Sequence, residues 1–201
     1  MISNLAEKAV DIFLSCSDVK EDRELYVYGF FMLFSKILFC IITVVFGSIF
    51  GVLVESILFY FMFIILRSFA GGIHASSEHI CTISTTLSML ASIILIWIGK
   101  RGFGIISLAI AMGINTVIVV MLSPQDSAAK RLTEKERSLY KKYTIIILLI
   151  IHIIAGISLL IHCMGLFTGC SVCVLLESIL LILGKTQQNH SRTINSSSKS
   201  F

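Results

Sequence analysis

The chain has 201 residues, of which 56% are hydrophobic and 14% are charged, with a formal net charge of +4 and a mean hydropathy of +0.95. This balance excludes a soluble globular domain and predicts an integral membrane protein whose main solvent is the lipid bilayer. The basic residues lie between apolar runs rather than in a long arm with interleaved aromatic residues, so nucleic-acid binding is not expected.

The chain opens with a mixed polar and apolar segment, residues 1–27, which we expect to form a cytoplasmic amphipathic or interfacial element. Apolar residues recur at helical spacing from Ile2 to Cys16. This pattern predicts either a helix that lies on the membrane surface or an ordinary packed helix.

Six apolar runs follow, each near the roughly 20 residues that a helix needs to cross a bilayer. The runs cover residues 28–46, 49–66, 82–98, 103–122, 143–162 and 165–183. The sequence therefore predicts an all-α, polytopic membrane protein with about six transmembrane helices in one domain over residues 28–183. Tight connections after the first, third and fifth runs predict antiparallel hairpins.

The distribution of Lys and Arg predicts the sidedness. Thirteen of these residues lie in the amino-terminal segment, the 67–81 loop, the 123–142 loop and the tail, whereas Lys100 and Arg101 lie at the opposite end of the spans. By the positive-inside rule, both termini and both long loops face the cytoplasm. The tail, residues 184–201, becomes rich in Ser, Asn and Gln and is predicted to be disordered.

The loop between the second and third spans carries the residues with the clearest chemistry. Gly71 and Gly72 relieve backbone restrictions, His74 offers a base near neutral pH, and Cys81 offers a nucleophilic thiol. Arg67 opens the same segment. Together these residues indicate a cysteine protease with His74 and Cys81 as its catalytic pair.

The spacing of the pair requires a break in the backbone. Residues seven apart on a continuous helix are separated by about 10 Å of axial rise, which prevents a hydrogen bond between an imidazole and a thiol. Ser76 or Ser77 is a suitable cap for a helix that starts just before Cys81. Cys81 would then lie in the first helical turn, where the helix amino terminus favours a thiolate.

Other interpretations of this loop stay open at this point. His74 and His79 could be interfacial loop residues, with Cys81 as a small packing residue. A metal site from His74, Glu78, His79 and Cys81 is conceivable, but no Cys-x-x-Cys or His-Glu-x-x-His pattern supports it, so the sequence predicts none. A third catalytic residue is not evident. The candidates for it are Asp126, Glu78 and Ser77.

At this loop the sequence resembles the accessory gene regulator B family, the membrane endopeptidases that process quorum-sensing peptide precursors in Gram-positive bacteria. In that family an arginine precedes a Gly-Gly pair, a histidine follows, and a cysteine comes seven residues after the histidine. The residues that carry this likeness are Arg67, Ala70-Gly71-Gly72, His74-Ala75 and Cys81. The likeness extends to chain size and span pattern.

A second region of likeness is the basic loop after the fourth span. It opens with Ser123-Pro124-Gln125-Asp126 and continues to Lys130-Arg131, where Arg131 replaces a proline that the family leads us to expect. The resemblance implies that Arg67, Gly71, Gly72, Asp126, Lys130 and Arg131 bind substrate or shape the loops. A solvated positive-inside loop is the simpler account of the basic residues, while attraction of an acidic precursor segment is the functional one.

The resemblance also implies a mechanism. Cys81 would attack a peptide bond in the carboxyl-terminal part of a cytoplasmic propeptide while His74 accepts the thiol proton. A cysteine of the propeptide would then displace the enzyme and close a thiolactone ring. Thioester exchange conserves bond energy, so no cofactor is implied. The resemblance places the active-site loop at the cytoplasmic side of a bacterial cell membrane and makes a homodimer reasonable.

Lys36 lies near the middle of the first span, where a charged side chain costs about 3 kcal/mol. Counting depth at 1.5 Å per residue predicts an ion pair with Glu55 or Glu177. The alternative function is a small multi-span transporter or peptide export protein with a polar path across the spans. That path would use Lys36, Glu55, Asn115, His152 and Glu177.

Other polar residues within the spans have structural explanations. We expect Asn115 and His152 to be interhelical hydrogen-bond partners, because such pairs are common between membrane helices. We expect Cys170 and Cys173 to pack as small apolar residues rather than to carry redox chemistry.

Overall fold

The computed structural model describes residues 2–15, 23–71, 78–102, 104–125 and 132–197. Within these residues the chain forms seven α-helices and no β-strand. The helices are α1 (Ile2–Ser15), α2 (Arg23–Ile49), α3 (Leu53–Ala70), α4 (Glu78–Gly99), α5 (Ile105–Leu122), α6 (Glu134–Leu160) and α7 (Met164–Ser197).

Six of these helices are long and apolar enough to cross a membrane, which confirms the predicted all-α, six-span architecture. The spans are Tyr26–Ile49, Leu53–Ala70, Thr82–Gly99, Ile105–Leu122, Glu134–Leu160 and Met164–Gln187. Large apolar side chains such as Ile106 and Leu160 lie on the outer surface of the bundle, as expected for helices that face lipid tails. The orientation of the termini stays a prediction.

The last span is the central helix of the bundle. α7 packs against α3, α4, α5 and α6, whereas α2 packs against α1, α3 and α4. Cys170, Ser171 and Cys173 of α7 are buried in the core, and small side chains of this kind allow helices to approach closely. Cys170 and Cys173 belong to the buried hydrophobic core, as expected for small packing residues.

α1 lies against α2 through one apolar face. Ala6 and Val10, one helical turn apart, are buried, and Arg23 donates a hydrogen bond of 2.9 Å to the Asp11 carboxylate. At the other end of the chain, the backbone of residues 184–197 continues α7. The division into an interfacial segment, a membrane domain and a disordered tail stays a prediction.

α6 begins nine residues before the predicted apolar run at residue 143, so part of the predicted 123–142 loop is helical. Thr133 and Glu136 form a capping box, in which the Thr133 hydroxyl accepts from the Glu136 N–H and the Glu136 carboxylate accepts from the Thr133 N–H. This cap satisfies backbone donors that otherwise have no partner at a helix start. It allows a polar helical segment to precede the apolar run.

The predicted ion pair of Lys36 is wrong, because both candidate carboxylates pair with other cations. Glu55 Oε1 lies 2.8 Å from Lys100 Nζ, and Glu177 Oε1 lies 3.9 Å from Arg67 Nη1. Among the described residues no carboxylate pairs with Lys36. Depth counting compares levels along the spans but does not determine which face of a helix carries each side chain.

The expected interhelical hydrogen bonds are confirmed. Ser178 Oγ of α7 donates to Asn115 Oδ1 of α5 over 2.6 Å. His152 of α6 has Nε2 at 3.2 Å from Thr116 Oγ1 of α5, while its Nδ1 donates to the Leu148 carbonyl. These contacts join α5, α6 and α7 where lipid offers no polar partner.

Candidate functional site

The candidate site is built around the carboxyl end of α3, where the chain leaves the second span. Arg67 lies in the last turn of this helix, and its Nη1 donates a 3.2 Å hydrogen bond to the Gly71 carbonyl. Gly71 in turn donates its N–H to the Arg67 carbonyl over 3.1 Å. Arg67 therefore holds the first residue after the helix through both its side chain and its backbone.

Gly71 has no room for a side chain. Its φ is +80°, a conformation that L residues with a Cβ rarely adopt, and a Cβ built there would lie 2.6 Å from the Gln125 carbonyl oxygen. The Gln125 N–H also donates to the Ala70 carbonyl over 3.0 Å. The end of α3 is thus packed directly against the backbone that follows α5.

α7 contacts both chain segments at this point. Gln125 Nε2 donates to the Leu181 carbonyl over 2.6 Å, and Glu177, one turn earlier on the same helix, faces Arg67. The Glu177 carboxylate is completely buried. Two contacts from one helix therefore brace the end of α3 and the start of the 123–142 segment.

A cavity of about 390 Å³ lies next to this brace, between α2, α3, α4 and α6. Its volume is within the range of small-molecule and peptide-side-chain sites. Its walls combine aromatic and aliphatic side chains with hydroxyl groups and two cations. They are formed by Phe31, Met32, Ser35, Lys36, Phe39, Tyr60, Phe63, Ile64, Arg67, Ser68, Phe69, Gly71, Thr82, Thr85, Met89, Gln125, Leu132 and Tyr140.

The cavity lies at the end of the bundle where α3 ends and α4 begins. Gly71 and Thr82 line it and flank the segment that carries the predicted catalytic residues. On the α6 side, the Phe69 ring lies 5.9 Å from the Tyr140 ring and 5.2 Å from the Tyr143 ring, measured between centroids. These aromatic contacts attach the last turn of α3 to the first turns of the fifth span.

The structure describes some of the predicted site residues and not others. Arg67 and Gly71 lie together, and Cys81 is the fourth residue of α4, in its first turn as predicted. The side chain of Cys81 lies outside the described part of the chain. So do the residues Gly72, His74, Asp126, Lys130 and Arg131. The metal alternative likewise involves side chains that are not described.

Sequence reasoning missed three contributors to the site. Depth counting alone pairs Glu177 with Lys36. Tyr60 stands in no distinctive sequence pattern, yet its hydroxyl donates to the Lys36 carbonyl and its ring lines the cavity. Gln125 belongs to the Ser-Pro-Gln-Asp motif, and this motif is the sequence signal that could have identified it as a site residue. Its contacts with Ala70 and Leu181 require the folded bundle.

These features define a polytopic helical membrane protein with a partly polar cavity beside a braced interhelical loop. A family model described as Accessory gene regulator B matches residues 4–182. The chain belongs to this family, which confirms the resemblance seen in the sequence. Family membership makes it a quorum-sensing-related membrane protein and is consistent with a peptidase role.

Two relatives come from Clostridium perfringens. AgrB-like protein 2 of strain 13 / Type A is 28% identical over 151 residues, covering 71% of this chain and 69% of the relative. An AgrB-like protein of strain SM101 / Type A gives the same identity and coverage. Both names state a likeness to the family and no activity. No solved structure matches the chain at a significant level.

Proposed function

We propose that this protein is a membrane cysteine endopeptidase that cleaves the carboxyl-terminal part of an autoinducer propeptide and cyclises the product to a thiolactone. The observation that carries the proposal is the position of Cys81 in the first turn of α4, directly before Thr82, which lines the cavity. Membership of the Accessory gene regulator B family supports it. A substrate held in the cavity would lie next to the nucleophile.

The chemistry proceeds in two displacements. The Cys81 sulfur attacks the carbonyl carbon of the scissile bond, and His74 accepts the thiol proton and then delivers it to the departing amine as the C–N bond breaks. A thiolate of the propeptide attacks the resulting thioester, and the C–S bond to Cys81 breaks. The ring closes without a nucleotide or metal, because one thioester replaces another.

The local fold supports the nucleophile in this proposal. A helix amino terminus carries partial positive charge, which stabilises a thiolate in the first turn. The contacts of Arg67, Gly71 and Gln125 fix the point where the chain enters residues 72–77, which include His74. These residues act by shaping the loop rather than by making or breaking bonds.

The remaining features of the proposal concern the partner and the orientation. In this proposal the propeptide is a short cytoplasmic peptide. Asp126, Lys130 and Arg131 would bind charged groups in its polar part by electrostatic attraction. The excess of basic residues supports placement of the active-site loop on the cytoplasmic side of the membrane. A homodimer in the bilayer is compatible with the apolar outer surface of the bundle.

The proposal is tested by coexpression of a candidate propeptide with this protein and analysis of the products by mass spectrometry. The intact protein should yield a cyclic peptide one water lighter than the linear fragment. Cys81→Ala and His74→Ala should yield neither. The matched control is Cys163→Ala, which removes a half-buried thiol in the α6–α7 turn and should leave the product unchanged.

An unchanged product from Cys81→Ala would eliminate the enzyme. The alternative, a small transporter or peptide export protein, would then be favoured if uncleaved peptide still crossed the membrane only when the protein was present.

A further inference from the structure

The described walls of the cavity carry cations but no carboxylate. Among these lining residues, Lys36 and Arg67 are basic and none is acidic. Lys36 has no ion-pair partner within the described parts of the chain, because Glu55 and Glu177 pair elsewhere. A lining cation without an ion-pair partner is available to pair with a bound anion. An anionic group on a bound ligand would complement the charge of these walls.

The lining of the cavity combines a large apolar part with a few polar groups. Aromatic and aliphatic side chains of α2, α3 and α4, including Phe39, Phe63 and Met89, form much of the wall. Ser35, Tyr60 and Thr85 contribute hydroxyl groups to the lining. Sites that join a large apolar surface to a few placed polar groups are typical of binding pockets for amphipathic ligands.

The position of the cavity beside the predicted catalytic segment argues for a peptide rather than a lipid headgroup. Lys36 lies about as far from the α2–α3 turn as Arg67 does, so both cations stand near the end of the bundle where α3 ends. Thr82 and Gly71 line the same cavity, so a chain bound there runs beside the segment with Cys81.

We propose that the cavity binds a peptide segment in which a carboxylate stands next to large apolar side chains, with Lys36 pairing with the carboxylate. The proposal rests on the proposed function, since it takes the propeptide as the natural ligand. It names Lys36 as a specificity-determining residue. Charge-assisted hydrogen bonds are among the stronger polar interactions in proteins, so recognition of the carboxylate should be readily measurable.

The first test measures binding without cleavage. Full-length Cys81→Ala protein in phosphatidylcholine nanodiscs is titrated with N-acetyl-Leu-Phe-Asp-Leu-amide and with the same peptide containing Asn in place of Asp. We expect the Asp peptide to bind at least about tenfold more tightly. Equal affinities would overturn the proposal, and this comparison requires no change in the cavity.

Substitutions of Lys36 then assign the preference. Lys36→Met should abolish it, while Lys36→Arg should keep it because the charge remains. The matched control is Lys185→Met, which removes an exposed cation of α7 that does not line the cavity and should also keep the preference. Discrimination that survives in Lys36→Met would overturn the assignment.

A steric pair of variants locates the ligand. Thr85→Trp should fill the cavity and weaken both peptides, whereas Leu87→Trp on the outer face of the same helix should weaken neither. Equal behaviour of the two variants would contradict binding in the cavity. If phosphatidylglycerol in the nanodisc displaces the Asp peptide, and does so only when Lys36 is present, the site binds lipid anions and the proposal fails.

The outcome is distinguishable from that of the proposed function. Binding is measured in the absence of the Cys81 thiol, so failure of the Asp peptide to bind overturns the carboxylate site and leaves cleavage to the coexpression experiment. Conversely, absence of a cyclic product in the coexpression experiment leaves the measured carboxylate preference intact.

Discussion

Arg67 Nη1 lies 3.9 Å from Oε1 of Glu177, and the Glu177 side chain is completely buried whereas that of Arg67 is 26% exposed. Neither carboxylate oxygen has a hydrogen-bond partner among the described residues. A buried carboxylate is costly without a nearby cation. The pair therefore couples the core of α7 to the guanidinium that holds Gly71.

Glu177→Gln tests this coupling. The substitution keeps the side-chain volume but removes the charge that faces Arg67, so we expect propeptide turnover to fall by about tenfold and stability by about 1–3 kcal/mol. The matched control is Glu55→Gln, which removes a buried carboxylate paired with Lys100 at the opposite end of the bundle. Thermal unfolding and product yield are measured for both, and turnover should remain near the unsubstituted level only in Glu55→Gln. Equal losses of turnover would show that any buried charge pair has this effect.

Gly71→Ala tests the close approach at the end of α3. The new Cβ would adopt a positive φ and would also collide with the Gln125 backbone, so we expect a loss of turnover and a destabilisation larger than the strain alone. Gly51→Ala is the control, since Gly51 has φ +65° in the α2–α3 turn but no described heavy atom within 4 Å of a Cβ placed there. In that variant the backbone strain alone should lower stability by about 1–2 kcal/mol, and turnover should be unchanged. The expectation fails if both variants retain equal activity and equal melting temperatures.

Gln125→Ala tests the second contact of the brace. It removes the hydrogen bond to the Leu181 carbonyl, and we expect it to cost about 1 kcal/mol and to lower turnover because the cavity wall at residue 125 loosens. Ser178→Ala is matched to it, since it removes a hydrogen bond of equal length between α7 and α5 that lies away from the cavity lining. Urea unfolding should show similar destabilisation for the two variants, with reduced product only for Gln125→Ala. Normal product from Gln125→Ala would remove this residue from the site.

Thr133→Ala tests the start of α6. Loss of the capping box should destabilise the protein by about 1 kcal/mol and expose the preceding segment to protease. Thr186→Ala, which removes a local hydrogen bond from an exposed hydroxyl near the end of the last span, should change stability by less. Limited proteolysis followed by mass spectrometry reads the outcome, and an unchanged cleavage rate near residue 133 would contradict the cap.

The predicted orientation is tested with a membrane-impermeant maleimide. Cys163 lies half-buried in the α6–α7 turn and should react on intact cells if this end of the bundle is extracellular. Lys141→Cys, made in a background with all six native cysteines replaced by Ser, should react only after the cells are permeabilised. The reverse pattern would invert the topology and place the active-site loop outside.

The spans could be predicted because bilayer thickness sets a length that the apolar runs must reach. The role of Gly71 at a loop was also accessible, since adjacent glycines signal unusual backbone. The start of α6 could have been found as well, because Thr133-x-x-Glu136 is a capping-box pattern. The apolar run that begins at residue 143 is the stronger signal, so the start of the helix is predicted there rather than at the cap.

The partners of the buried charges could not be predicted in the same way. Counting residues along the spans predicts similar depths for Lys36, Glu55 and Glu177, but in the structure Glu55 lies in the first turn of α3, whereas Glu177 faces Arg67 in its last turn. The offset and rotation of each helix, which decide the pairing, are set by tertiary packing. Lys100 reaches Glu55 from the end of a hairpin, and Arg67 reaches Glu177 from a neighbouring helix. The hydrogen bond from Gln125 to Leu181 joins residues 56 positions apart, and no local pattern encodes it.

α7 is the last helix of the described chain, yet it supplies Glu177 and Leu181 to the base of a loop made about a hundred residues earlier. During synthesis on the ribosome, the end of α3 can acquire these two contacts only after the final span has entered the membrane. Nascent chains that stop before Met164 carry the complete Arg67 to Cys81 segment without its support. Completion of the brace at the end of α3 is thereby delayed until translation is nearly finished.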